Sequence, residues 1–337
     1  MRKIFPVAFT ALFFAGACLG ADLEPGKLRI NGVLQVSGIY NHLAARKGKG
    51  PDSSASRIAV SSVEVDLEAK VAERVTALAV LAWNDTLNTA EFDEASIDCQ
   101  FEQFQIKVGR MYLPFGDFSS DLVSHTMPQF LGESRETAVL GAVSPVGWLT
   151  FGAFAFGGEA KRVKALGVPG SDKINDYGFM LTVTPMKGLI FGGSFISDLA
   201  DSDVQITVNK NYVRRVAGGD LFARYSGGPL RVGVEVLGAL SEFDIRDIAG
   251  AKKDSRPITW HVEAACDAPL NLTFAATVEG SREWYEAPVV RAGGAANWQA
   301  TGNISLAAEY LNSLYDKNFS KKLHRDDAVI VQLAANF

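Results

Sequence analysis

Glu64, Asp66 and Glu68 stand two residues apart, separated by Val65 and Leu67. Successive side chains of an extended segment point to opposite faces, so this spacing puts three carboxylates on one wall. Glu94 and Asp98 repeat the pattern thirty residues on. Lys107, Arg110, Arg224, Arg231 and Arg291 are the cations that can oppose them. Opposed charges across a wet passage focus a field and select ions; a charged wall also simply stays wetted. A second group, Asp121, His125, Glu133, Arg135 and Glu136, falls in a tract that also carries Leu122, Val123, Met127, Phe130 and Leu131. A tract facing only water has no use for those apolar residues, so it is expected to pack inside the molecule and narrow a passage there.

Catalysis finds little support. A hydrolase of this type needs a nucleophile or acid paired with a base at hydrogen-bond reach. His42, His125 and His324 fall in loop-like stretches, His261 stands alone on a strand, and none sits in a nucleophile motif. No histidine pair has ligand spacing, so no metal site and no cofactor are expected. Asp198, Asp201 and Asp203 are the loop acids that a divalent ion, or lipopolysaccharide bridged through one, would use. Cys99 and Cys266 make no disulfide framework. The chain carries 33 basic and 38 acidic residues, net −5, or −7 without Arg2 and Lys3, which argues against a nucleic-acid partner.

These side chains are carried by strands. In Val63–Val71 the odd positions are apolar and the even ones charged. Leu230, Val232, Val234 and Val236 alternate with Arg231 and Glu235; Ile258, Trp260, Val262 and Ala264 with His261 and Glu263. Leu272, Phe274 and Val278 alternate with Thr273, Thr277 and Glu279, Leu306 and Tyr310 with Glu309, and Val329, Val331, Leu333 and Phe337 with Gln332 and Asn336. Val75–Trp83 and Trp148–Phe156 are apolar on both faces, and their register stays open. About sixteen such segments have the roughly 9–11 residue length of a tilted membrane strand.

Tight connections are expected at 72–74, 101–103, 144–147, 185–188, 226–229, 267–269 and 297–299. Longer polar stretches fall near 41–57, 85–91, 113–136, 158–173, 198–212, 242–256, 281–288 and 312–326. Short turns interleaved with long loops are how an outer-membrane barrel is built, with the short turns on the periplasmic side. A soluble two-sheet sandwich has no reason to sort its loops this way. Arg2 and Lys3, an apolar stretch over 4–17 and the small residues to Gly20 read as a secretory leader, removed after residue 20. Residues 21–337 are then one all-β domain, a transmembrane antiparallel barrel of about sixteen strands, with fourteen to eighteen as the range. No folded plug is expected ahead of Leu28.

Arg110-Met111-Tyr112-Leu113-Pro114-Phe115-Gly116 and the tract Pro128 to Ala138 resemble the LbtU-type siderophore porins. The similarity extends to Glu64-Asp66-Glu68, to Asp93-Glu94-Ala95 and to Ile196–Ser202. The resemblance implies an outer-membrane barrel that admits ferric siderophore without a plug. The Arg-x-x-x-Pro-Phe-Gly piece also resembles phosphate-selective and dicarboxylate-type porins, so a general or anion porin is the alternative, and an outer-membrane enzyme or structural barrel is more distant. The expected pore-lining residues are Glu64, Asp66, Glu68, Glu94, Asp98, Lys107 and Arg110; the constriction residues are Asp121, His125, Glu133, Arg135 and Glu136. The expected partners are outer-membrane lipid, lipopolysaccharide and a small-molecule substrate, with association into a homo-oligomer left open.

Overall fold

The computed structural model describes residues 27–84, 89–162, 175–204, 206–248, 251–320 and 322–337; the leader assigned to 1–20 lies outside them. In chain order the strands are β1 (Leu28–Ala45), β2 (Ser53–Ala72), β3 (Val75–Asn84), β4 (Thr89–Gln100), β5 (Phe104–Tyr112), β6 (Arg135–Val146), β7 (Leu149–Phe156), β8 (Lys161–Arg162) and β9 (Asp176–Met186). They continue as β10 (Leu189–Ile196), β11 (Asn211–Tyr212), β12 (Gly218–Gly227), β13 (Leu230–Ala239), β14 (Ile258–Ala268), β15 (Leu272–Arg282), β16 (Val290–Gln299), β17 (Ile304–Leu314) and β18 (Leu323–Asn336). The two-residue β8 and β11 pair with each other in parallel between long loops. The other sixteen form one closed barrel in which each strand pairs antiparallel with its chain neighbours, and β18 closes on β1 with Gln35 opposite Ala334 and Gly38 opposite Val331. Closure leaves no unpaired edge, which is what a sheet in hydrocarbon requires.

Alternation sets the two faces. Val232, Val234, Val236, Val262, Phe274, Val278, Tyr310, Val331 and Leu333 are exposed on the outside, whereas Glu235, His261, Glu263, Glu279 and Glu309 on the other parity are buried. Exposed aromatics ring the short-turn end: Phe101, Phe104, Trp148, Tyr225, Trp298 and Phe337. Rings with a polar tip or an interfacial edge collect where a hydrocarbon band meets headgroups. Among the described residues no helix is long and apolar enough to cross a membrane.

The connections shift the expected boundaries in places. β1 and β2 run on through most of 41–57, leaving 46–52 as the loop. β6 continues to Val146, so that turn lies at 147–148. Residues 297–299 are not a turn but the end of β16: Asn297 pairs with Ala307, and the turn comes at 300–303, where Thr301 Oγ1 accepts from the Asn303 and Ile304 amides at 3.2 and 3.1 Å. The both-face apolar segment Trp148–Phe156 has a simple cause. Phe154 and Phe156 turn inward and pack with Met111, Phe115, Leu131 and Leu237 in an apolar cluster inside the barrel.

Candidate functional site

The cluster exists because the chain between β5 and β6 folds into the barrel. Pro114 follows the end of β5 and cannot extend the ladder. Gly116 turns at φ +91°, with the ring of Phe118 where a Cβ would stand. Helix α1 (Met127–Gly132) starts at Thr126, whose hydroxyl accepts from the Gln129 amide at 3.3 Å, and has Pro128 in its first turn, where no donor is needed. Gln129 donates to the Glu133 carboxylate at 2.7 Å across the helix exit. Phe115 and Leu131 are fully buried, and Gly132 lies against Leu237 of β13, closer than any side chain could.

A segment with so little regular structure must satisfy its amides elsewhere. It uses carboxylates on the inner wall. Glu235 of β13 accepts from the Asp117 and Phe118 amides at 2.8 and 3.1 Å. Glu263 of β14 accepts from the Asp121 amide at 2.7 Å and the Ser120 hydroxyl at 2.5 Å. Glu309 of β17 accepts from the Val123 and Ser124 amides at 2.6 and 3.1 Å, and Glu279 of β15 from the Met127 amide at 2.7 Å. The segment thus travels from β10, where Ser194 accepts from the Gly116 amide, out to β17, and returns to β15. Hydrogen bonds to charged acceptors contribute about 1.5–3 kcal/mol each, so four carboxylates hold the path firmly.

Cations complete the clasp. Arg291 Nε lies 2.5 Å from Glu279 Oε1 while a second nitrogen donates to the His125 carbonyl at 2.5 Å. His261 stands between Glu263 and Glu279, 3.4 and 3.2 Å away. Arg231 pairs with Asp121 at 3.0 Å and Asp267 at 2.7 Å, and Arg224 with Asp117 at 2.9 Å.

Among the described residues no hydrogen bond joins this segment to β18 or to β1–β4. That uncovered side carries the acidic series. Glu64, Asp66 and Glu68 sit across from Val33, Asn31 and Arg29 of β1, on the parity opposite to the Val65–Leu67 face. Glu68 meets Arg29 at 3.7 Å, Glu94 meets Lys107 at 3.2 Å, and Asp98 accepts from Gln105 at 2.7 Å. A cavity of about 360 Å³ separates Ser120–Val123 from Gln35 of β1 and Gln332 of β18.

Of the residues singled out for the inward tract, Asp121 is clasped by Arg231 and His125 is exposed, its ring 5.5 Å from that of Phe130. Glu133 caps the helix exit, and Arg135 belongs to β6, paired with Glu91 and Asp93 at the barrel end rather than with the tract. Glu136 is buried in β6 opposite Met111. Arg110 is placed by its register across from Ala95 and Thr137. The four clasping glutamates were seen in the sequence only as polar members of alternating strands.

No protein-family model matches the chain. A UPF0422 protein of Coxiella burnetii is 28% identical over 186 residues, 51% of this chain; the matched span is 37% of that relative's length. Among solved structures, the outer-membrane channel DcaP of Acinetobacter baumannii superposes with a TM-score of 0.66 at 13% identity, covering 95% of this chain and all of that one. OmpF of Salmonella typhi, in complex with daunomycin, gives 0.65 at 13% identity over 92% of this chain and 97% of that one. An anion-selective porin from Comamonas acidovorans gives 0.64 at 9% identity over 92% and 99%. The fold is that of a sixteen-stranded porin.

Proposed function

We propose that this protein is a passive outer-membrane channel for small hydrophilic solutes, whose permeation path runs between the inward segment and the wall of β18 and β1–β4. The observation that carries this reading is the clasp: Glu235, Glu263, Glu279 and Glu309 fix residues 117–127 against one side of the barrel. A closed barrel with a fixed inner segment on one side and a charged wall on the other is a sieve, not an active site. The path would be bounded by Glu64, Asp66, Glu94 and Asp98 on the wall and by Ser119, Leu122, Val123, His125 and Phe130 on the segment. Glu64, Asp66, Glu68, Glu94 and Asp98 outnumber the cations beside them, Arg29, Lys70 and Lys107, so the channel favours cations or is neutral.

Ferric siderophore is the substrate class indicated by the resemblance of 109–138 to LbtU-type porins. The exposed Phe130 and His125 rings suit a solute with an aromatic or amphipathic body better than a bare anion. Leader removal after residue 20 and an envelope setting with lipopolysaccharide as neighbour belong to the same reading. Uptake of radiolabelled ferric siderophore by cells with and without the gene tests it. Gene-dependent uptake supports the siderophore reading; unchanged uptake together with gene-dependent entry of phosphate would replace it with the anion porin.

A further inference from the structure

Three buried carboxylates converge away from the clasp, at the long-loop end of the barrel. Asp176 opens β9; Asp198 caps and Asp201 ends the single turn Leu199–Asp201 that follows β10. One oxygen of each lies within 4.8 Å of the other two. Calcium binds oxygen at about 2.4 Å, so ligands on opposite sides of one ion stand about 4.8 Å apart. A single ion of that size can therefore touch all three; magnesium, at about 2.0–2.1 Å, spans less.

Acidic clusters are common without ions, and a second observation is what points to a ligand here. Asp198 accepts the Ala200 amide through Oδ1 at 3.0 Å, and Asp201 accepts the Ala160 amide through Oδ1 at 2.6 Å. Both carboxylates are thereby oriented. The remaining oxygen of Asp201, Oδ2, is buried with no hydrogen-bond donor on a residue 0% exposed, and that of Asp198 faces only the Arg215 Nε at 3.7 Å, beyond hydrogen-bond reach. A desolvated carboxylate oxygen without a partner is costly and calls for a cation or a proton. Gly158 leaves room: a Cβ there would come within 2.1 Å of Asp201 Oδ2.

Arg215 is the cation already present. Its guanidinium pairs with Asp176, and its Nε lies 3.7 Å from Asp198 Oδ2. Among the described residues it makes no ion pair with Asp201. Lys210, a second cation on this side of the barrel, pairs with Glu159 at 2.9 Å.

We infer that Asp176, Asp198 and Asp201 form a binding site for a calcium-sized divalent cation that ties the start of β9 to the turn after β10. The same turn reaches the base of the inward segment, since the Asp203 amide donates to the Glu133 carbonyl at 2.9 Å. The bound ion therefore stiffens the outer anchor of that segment. Of the three loop acids named from the sequence, Asp198 and Asp201 are members. Asp203 is not, its carboxylate accepting the Arg135 amide at 3.3 Å, and Asp176 had no sequence signal.

Calorimetric titration of the EDTA-stripped, folded full-length barrel in detergent tests the inference. With calcium chloride it should show one saturable site, with Kd on the order of 10⁻⁴–10⁻³ M as in extracellular calcium modules, and weaker binding of magnesium. Asp201→Asn should weaken calcium by about tenfold or more, since ligand charge tunes such sites, while Glu102→Gln, on the short turn between β4 and β5 at the other end of the barrel, leaves it unchanged. Arg215→Gln removes the competing charge and should tighten calcium, an opposite sign that a general loss of folding would not give. No saturable heat from the folded wild-type barrel, or equal calcium affinity in wild type, Asp201→Asn and Arg215→Gln, would overturn the site.

Discussion

The Met127 amide donates to Glu279 Oε2 at 2.7 Å, inside the barrel and far from either strand that the inward segment connects. Glu279 is fully buried, and its other oxygen is held by Arg291. Removing this carboxylate strands a buried guanidinium as well as an amide, whereas Glu309, which serves the Val123 and Ser124 amides, makes no ion pair among the described residues. Glu279→Ala should therefore cost about 3–5 kcal/mol of barrel stability, and Glu309→Ala about 1–3 kcal/mol. Urea unfolding followed by heat-modifiable mobility on gels checks the order, and a larger loss for Glu309→Ala would contradict this account of the clasp.

The two variants should also differ from wild type in noise. Val123 and Ser124 form the far reach of the segment, so losing Glu309 frees the part that borders the cavity towards Gln35 and Gln332. Single-channel records of Glu309→Ala are expected to show more frequent substates at unchanged barrel fold. Records as quiet as wild type would mean that the segment holds its place without that acceptor.

Deleting Asp121 to Gly132 removes α1 and most of the clasped path while leaving β5 and β6 intact. Conductance should rise and discrimination between solutes should fall, because charges at a narrow, less hydrated passage act at short range. Unchanged conductance in a deletion that folds would place the permeation path elsewhere.

Cys99 and Cys266 are both free thiols, on β4 and β14, which stand eight strands apart in the sixteen-stranded ring. A disulfide needs Cα atoms within about 7 Å, so none can join them in the folded barrel. Cys266 is exposed and Cys99 only partly so; a membrane-permeant maleimide should label Cys266 faster. A 99–266 bridge found by mass spectrometry of the folded protein would contradict the strand order.

Gly109 adopts φ +132°, and a Cβ there would come 2.2 Å from the Ala95 carbonyl of β4. Gly109→Ala should lower stability by about 1–3 kcal/mol through a backbone conformation that L-residues avoid. The same urea series reads it, and an unchanged midpoint would show that β5 relaxes freely at this point.

Much of the barrel was legible because most strands alternate between an apolar outer face and a polar inner one. Val232, Val234 and Val236 against Glu235 could be read in only one register. The turn at 300–303 was missed because Asn297 looks like a turn residue, yet its side chain is committed inward, donating to the Asp121 carbonyl at 2.7 Å. The clasp was harder. Glu235, Glu263, Glu279 and Glu309 look like any wetted inner face until the segment that they hold is placed against them. The sequence traces of that placement were the apolar residues of the tract itself, Leu122, Val123, Met127, Phe130 and Leu131, to which Phe154 and Phe156 on the inner parity of β7 add an apolar surface inside the barrel. The convergence of Asp176 with Asp198 and Asp201 joins two ends of a hairpin, a relation that no local pattern announces.

The claim that a charged wall and a clasped segment bound a conducting path is tested most directly in a planar bilayer under a potassium chloride gradient. The wild-type protein should conduct, with a reversal potential that is cation-favouring or near zero. The triple variant Glu64→Gln, Asp66→Asn, Glu94→Gln should move that potential towards chloride. A folded barrel that does not conduct, or one with strong chloride preference that the triple variant leaves untouched, would contradict the account.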